Sequence, residues 1–113
     1  MIKVYIASPY TIGDVAVNVK LQMDTMDQLM TLGFVPYAPL FTHFQHMVHP
    51  RPVQDWLNLD NAWLRECDCL LRLGGESSGA DDEVKLASSM GMPVFMSIDE
   101  LIKCYQTVLD YGK

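Results

Sequence analysis

The sequence contains few cysteines, and their arrangement excludes two classes of small protein. Of the 113 residues only Cys67, Cys69 and Cys104 are cysteine. An odd number without a C-x-x-C pair predicts neither a disulfide framework nor a redox or zinc motif of that type. We expect reduced, partly buried thiols.

Positive charge is also scarce. The chain has 8 Lys and Arg against 14 Asp and Glu, which gives a formal net charge of −6. Long-range electrostatics would therefore repel DNA or RNA, so no nucleic acid polymer is predicted as a partner. A small-molecule ligand remains compatible with this charge.

Long hydrophobic runs and targeting signals are missing as well. No apolar run approaches the length needed to cross a bilayer, and the N-terminal segment MIKVYIASPY lacks a basic region and a cleavage site. We expect a cytoplasmic protein without a membrane partner. Half of the residues are hydrophobic and no linker or repeat interrupts them, so residues 1–113 are interpreted as a single domain.

Short apolar runs alternate with longer amphipathic segments, which indicates a parallel sheet with crossover helices. The predicted strands are Val4–Ala7, Phe34–Ala38, Cys69–Leu73 and Pro93–Met96, and the predicted helices span 14–32, 52–66, 78–91 and 97–111. The stretch Pro39–Arg51 has no clean period and is predicted to be a loop. The resulting βαβαβαβα order predicts a doubly wound α/β sheet of the Rossmann or flavodoxin type, with strand order 2-1-3-4.

Several residues mark the predicted helix ends. Trp56, Leu59, Trp63 and Leu64 are expected to face the core from the second helix. The predicted caps are glycines at Gly33 and Gly112, and capping boxes of Ser78 with Asp81 and of Ser97 with Glu100.

Two loops are predicted to meet where the winding of the sheet reverses, beyond the carboxyl ends of strands one and three. These loops are Ser8–Gly13 and Gly74–Gly79. Helix N-termini and glycine-rich turns present free N–H groups that stabilise a phosphate or carboxylate. Neither loop is a Walker motif or a G-x-G-x-x-G fingerprint, so no nucleotide cofactor is expected. Simple capping and turning by these residues remains an equal alternative.

Glu83 lies beside the apolar stripe of the third helix, which contains Ala80, Val84 and Ala87. A carboxylate at the edge of a partly desolvated crevice is costly unless it is paired or used in chemistry. The alternative is that Glu83 and the two preceding aspartates only complement the helix dipole.

Asp60, on the helix before strand three, is a second acid that can project toward the same crevice. A pair of carboxylates is what glycosidic chemistry requires, because one attacks the anomeric carbon and the other handles a proton. The alternative is a surface aspartate on an amphipathic helix.

Three segments resemble the nucleoside 2-deoxyribosyltransferase superfamily, which includes the 2-deoxynucleoside 5-phosphate N-hydrolases. They are Val4–Tyr10, Asp60–Asp68 and Ser77–Glu83, and the similarity runs from the first strand to about Phe95. The resemblance implies that Glu83 is the nucleophile of a covalent glycosyl intermediate. It also implies that Asp60 is the acid that supports catalysis and sugar binding.

The same resemblance implies the substrate-binding residues. Ser8 and Ser77 match positions that hold a 5-phosphate, Tyr10 would lie beside the sugar or base, and Gly79 belongs to the same binding loop. The compact loop after strand three favours monophosphate substrates and hydrolysis over base transfer. A homo-oligomer is implied, because members of the superfamily complete their sites across subunit contacts.

The three histidines, His43, His46 and His49, recur every three residues in a proline-flanked stretch without a nearby cysteine. This is not a recognised metal-ligand frame, so no metal is predicted. We expect this stretch to form a lid, with His43, Phe44 or Tyr37 against a base. Two alternatives to an enzyme remain open. One is a catalytically silent nucleotide-binding or sensing module. The other is an interaction protein built around the Met-rich face of the first helix, which carries Met23, Met26 and Met30.

Overall fold

A computed structural model describes the backbone of residues 1–111 and the side chains of residues 1–106. Its parallel strands are β1 (Lys3–Ala7), β2 (Val35–Tyr37), β3 (Cys69–Arg72) and β4 (Val94–Phe95). They form one sheet in the order β2-β1-β3-β4. This confirms the predicted α/β class and strand order.

Helices connect the strands on both faces of the sheet. They are α1 (Val15–Thr31), α2 (Thr42–Val48), α3 (Val53–Arg65), α4 (Ser78–Ser89) and α5 (Ile98–Tyr111), with a 3-10 turn at Pro39–Phe41. Among the residues described, no helix combines the length and apolar character that a membrane crossing requires.

The side chains of β1 point alternately to the two faces of the sheet, and they divide the core into two layers. Val4 and Ile6 pack with Leu29 of α1 and Leu101 of α5 on one face of the sheet. Tyr5 and its neighbours pack against α3 and α4 on the other face. Because successive side chains of a strand point to opposite faces, this pattern produces the doubly wound arrangement. Part of the Met-rich face of α1 also packs against the first layer, through Met23 and Met26.

The helix ends follow the predicted caps with one exception. Gly33 has φ 95° after α1, and the Ser97 Oγ accepts from the Glu100 N–H at 3.1 Å. The predicted capping box at Ser78 is wrong, because the N-cap of α4 is Ser77, whose extended backbone lets its Oγ accept from the Ala80 N–H. The cap predicted at Gly112 lies outside the described residues.

Two further predictions about the connection between β2 and β3 are wrong. The stretch Pro39–Arg51 contains the 3-10 turn and α2 and is not a loop. The apolar residues of α2, Phe44, Met47 and Val48, do recur at helical spacing, but all three are exposed. The prolines that flank this short segment favour a loop, and its period spans less than two turns. On α3 only Leu64 is buried, whereas Leu59 is 40% and Trp63 50% exposed. Trp63 stacks on Tyr37 of the edge strand β2, with ring centroids 5.5 Å apart, and leaves half of its surface exposed.

Candidate active site

The loops that follow β1 and β3 touch each other at the point where the sheet reverses direction. The Leu73 N–H donates to the Ala7 carbonyl at 2.8 Å. Gly75 has φ +112°, and a Cβ at this position would lie 2.8 Å from the Pro9 Cγ. The predicted meeting of the two loops is confirmed, and Gly75 is glycine because both its backbone angle and its close neighbour require it.

Arg72, the buried last residue of β3, ties the second loop to α4. Its guanidinium donates to the carbonyls of Leu73 and Gly75 and to the Asp81 carboxylate, the last at 3.2 Å. Sequence reasoning missed this residue. The signal in the sequence was a charged side chain at the end of an apolar run. A guanidinium buried there needs several acceptors, so it indicates a set of nearby carbonyls or carboxylates.

Glu83 lies half-buried in α4 and accepts a hydrogen bond at its Oε2 from the hydroxyl of Tyr5. Burial raises the pKa of the Glu83 carboxyl from 4.5 to about 8. At neutral pH the free protein therefore holds this group mainly protonated. A positive charge that develops beside it would favour the ionised form.

Asp60 is also half-buried, and its Oδ1 accepts from the Tyr37 hydroxyl at 3.1 Å. Burial raises the pKa of Asp60 to about 6, against the opposing effect of the Tyr37 hydrogen bond. Burial and the Asp60 charge raise the pKa of the Tyr37 phenol well above its usual value.

A tyrosine pair links the two acids. Tyr5 and Tyr37 are register partners on β1 and β2, and their ring centroids lie 5.5 Å apart. One phenol donates to Glu83 and the other to Asp60. Sequence reasoning assigned no role to Tyr5, and it expected Tyr37 to face a base. The signal in the sequence was a tyrosine on each of two strands predicted to be adjacent, since a phenol taken out of water needs a hydrogen-bond partner.

A cavity of about 350 Å³ opens beside Asp60, between the loop after β1, the 3-10 turn, α2 and α3. Its walls combine apolar side chains with the rings of Tyr10, His43 and Trp56. This size and character suit a small aromatic ligand. Of the predicted site residues, Tyr10 and Asp60 line the cavity, whereas Glu83 lies outside the described lining.

The histidines of α2 take defined places in the cavity wall. His43 Nδ1 lies 2.6 Å from the Tyr10 hydroxyl. His46 Nδ1 accepts from the Trp56 Nε1–H at 2.9 Å and from the Arg51 N–H at 3.2 Å. Because both of these groups can only donate, the proton of His46 lies on Nε2. Within the part of the chain described, no group of His, Cys, Asp or Glu side chains is arranged to hold a metal ion.

The other predicted binding residues lie in the two loops and their flanks. Ser8 follows β1 and is almost buried, and its Oγ accepts from the Gln22 Nε2 at 2.7 Å. Ser77 caps α4, while Gly79 is exposed, and a Cβ added there would have no neighbouring atom within 4 Å. Sequence reasoning missed Gln22, although a polar residue inside the apolar stripe of a helix was a signal for it.

Comparison with other proteins identifies a family for the chain and a solved structure of similar fold. Residues 2–97 match the family described as Domain of unknown function (DUF7768). No curated protein matches the sequence. The fold is similar to that of a 2-deoxyribosyltransferase from the psychrotolerant bacterium Bacillus psychrosaccharolyticus, with a TM-score of 0.62 and 19% identity over 81% of this chain and 69% of that chain. At this identity the similarity establishes a shared fold.

Proposed function

Since the chain belongs to the DUF7768 family, a domain of unknown function, we propose its activity from its own site. The protein acts on the N-glycosidic bond of a nucleoside, with ribose or 2-deoxyribose, or of its 5-monophosphate. It releases the base or exchanges it for another through a covalent intermediate on Glu83. The observation that carries this proposal is the pair of half-buried acids, Glu83 and Asp60, each bonded to one of two adjacent tyrosines. The fold shared with a 2-deoxyribosyltransferase supports it.

In the first step the ionised Glu83 carboxylate attacks the anomeric carbon while the bond from that carbon to the base nitrogen breaks. The bonding electrons leave with the base, which takes a proton from Asp60. A carboxyl with a pKa of about 6 suits this role near neutral pH.

In the second step the ester bond to Glu83 breaks. Water attacks the same carbon and gives a proton to Asp60, so the sugar is released and both acids return to their starting states. A second base in place of water gives transfer. Two inversions at one carbon leave its configuration retained.

Substrate placement follows from the cavity beside Asp60. The aromatic and apolar walls receive the base, with Tyr10 beside it, and the sugar lies at the boundary between the cavity and the tyrosine pair. Ser8, Ser77 and Gly79 belong to the loops and helix start at the carboxyl edge of the sheet, where free N–H groups favour a 5-phosphate.

A catalytically silent nucleotide sensor is the second candidate. It is favoured by one observation, which is that Asp60 borders the cavity whereas Glu83 lies outside its described lining. In a sensor Glu83 would be a structural partner of Tyr5, and ligand binding would not depend on its ionisation.

One experiment separates these candidates. The protein is incubated with a panel of nucleosides and 5-monophosphates, with and without an acceptor base, and free base is followed by chromatography. We expect Glu83→Gln to lower base release by ~10²-fold or more while ligand affinity is kept. Asp82→Asn makes the same chemical change at an exposed neighbour and should leave the rate unchanged. Base release that survives in Glu83→Ala contradicts the mechanism.

A further inference from the structure

Gln22 is a fully buried polar side chain in α1, on the face of the sheet opposite Glu83. A buried amide must find hydrogen-bond partners. Its Nε2 donates to the Ser8 Oγ at 2.7 Å and to the Ile6 carbonyl at 3.3 Å, and its Oε1 accepts from the Leu40 N–H at 2.7 Å. One side chain thus joins the end of β1 to the wall of the cavity.

These partners determine which way round the amide lies. The Leu40 N–H can only donate and the Ile6 carbonyl can only accept. A flipped amide would place its NH2 group against the Leu40 N–H and its oxygen against the Ile6 carbonyl, and neither contact is a hydrogen bond. The Gln22 N–H therefore faces Ser8, and the Ser8 oxygen is the acceptor of that bond. Among the described residues, no group accepts the proton of the Ser8 hydroxyl in return.

We propose that Gln22 is a positioning residue that fixes Ser8 as a hydrogen-bond donor to an acceptor oxygen of the substrate, and that this oxygen belongs to the 5-phosphate. The inference rests on the proposed function for the placement of substrate at Ser8. A hydroxyl whose oxygen already accepts a bond is a better donor, and a donor bonds most strongly to an anionic oxygen. Ser8 is 7% exposed, so the proposed contact is with one phosphate oxygen and not with the whole group.

Leu40 adds a second consequence. Its side chain lines the cavity, and its N–H is held by the same amide that orients Ser8. Loss of the amide should therefore affect the cavity wall as well as the Ser8 hydroxyl. Comparing a monophosphate with its nucleoside separates the two effects, because both ligands meet the wall but only one has a phosphate.

The test measures dissociation constants by calorimetry for a 2-deoxynucleoside 5-monophosphate and the matching nucleoside. Ser8→Ala should reduce the preference for the monophosphate by about 10-fold, as expected for one bond to a charged group. Gln22→Met keeps the length of the side chain and should reduce the preference for the monophosphate by a similar factor. Adding Gln22→Met to Ser8→Ala should cause no further loss of preference.

The matched control is Thr25→Val. Thr25 is buried one turn further along α1, where its hydroxyl donates to the Leu21 carbonyl of the same helix. This change should leave the monophosphate preference intact. It reports what a general disturbance of α1 does to binding.

A second variant keeps the test valid should Gln22→Met fail to fold. In Gln22→Glu an ionised carboxylate accepts the Ser8 proton and removes the donor, whereas the protonated acid donates again. The preference, measured relative to wild type at each pH, should therefore be low at high pH and recover as pH falls. Gln22→Glu combined with Ser8→Ala should show no such recovery, because the donor is absent at every pH. Recovery of the same size in both proteins would show charge repulsion of the phosphate alone and would contradict the role of Ser8.

The proposal is overturned if Gln22→Met keeps the wild-type preference while Ser8→Ala removes it, or if the two losses simply add. Wild-type protein that releases base but shows no monophosphate preference overturns it too, and leaves the proposed function standing. Coupled losses of affinity in a protein that releases no base contradict the proposed function and support the role of Gln22.

Discussion

At the scale of single residues, the two acids have raised pKa values that fall on either side of neutrality, about 6 for Asp60 and about 8 for Glu83. The proposed reaction needs Asp60 protonated and Glu83 ionised. When the pair holds one proton, that proton lies mostly on Glu83, which has the higher pKa. The reactive form, with the proton on Asp60, makes up about one molecule in 10², as the separation of the two pKa values requires. The active form is nevertheless most abundant between the two pKa values.

We therefore expect kcat/KM to follow a bell-shaped pH profile with limbs near pH 6 and pH 8. Tyr37→Phe removes a hydrogen bond that lowers the pKa of Asp60, so the acid limb should move to higher pH. Tyr5→Phe removes the donor to Glu83 and should move the alkaline limb upward. Initial rates of base release across pH 5–9 measure both shifts, and limbs that stay fixed in both variants contradict the assignment.

Glu83 also predicts how stability depends on pH. Its pKa is raised from 4.5 to about 8 in the folded protein, so the folded state binds the proton more tightly than the unfolded chain does. This contribution is fully present below pH 4.5 and is lost as pH rises through 8. Glu83→Gln has no titrating group at this position and so no such loss. As pH rises, its free energy of unfolding should therefore improve relative to wild type, by up to about 1.4 kcal/mol for each unit by which folding raises the Glu83 pKa. Urea unfolding at pH 4.5 and pH 8.5 checks this, and a constant difference contradicts it.

At the scale of elements, the contact between the loops after β1 and β3 depends on a residue without a side chain. Gly75→Ala would place a methyl group against Pro9 at a positive φ, and we expect the change to cost about 1–3 kcal/mol of stability. Gly79→Ala is the matched control, because Gly79 lies in α4 with open space around it and should gain about 0.5–1 kcal/mol. Urea denaturation compares them, and equal effects would contradict the close contact.

The elements also show which features the sequence could predict. Strand order, most helix ends and the Gly33 cap follow from local patterns of hydrophobicity and capping residues. The helix α2 was missed because it is short and lies between prolines, and its apolar residues Phe44, Met47 and Val48 are exposed instead of buried. The partners of Tyr5 and Gln22 were equally hidden, because Tyr5 bonds to a residue 78 positions away. Such pairings depend on how the strands and helices pack together.

At the scale of the whole molecule, the acidic chain has an apolar surface on α2 and around the start of α3. Its exposed members, which we call the α2 surface, are Phe41, Phe44, Met47, Val48 and Val53. These side chains are grouped on one short segment, and the ring centroids of Phe41 and Phe44 lie 6.2 Å apart. Exposed apolar side chains grouped in this way are typical of a contact surface. The α2 surface adjoins the cavity, which is also lined by residues of α2 and α3.

We propose that the protein is a homo-oligomer in which the α2 surface is shared between copies. Met47 is 70% exposed, so Met47→Asp should leave the fold intact and shift the protein toward the monomer in sedimentation velocity. Met30→Asp makes the same change at an exposed position of α1 and should leave the assembly unchanged. Dissociation by Met30→Asp alone would instead place the interface on the Met-rich face of α1. A wild-type protein that stays monomeric at high concentration contradicts the proposal, because the α2 surface would then be free of any second copy.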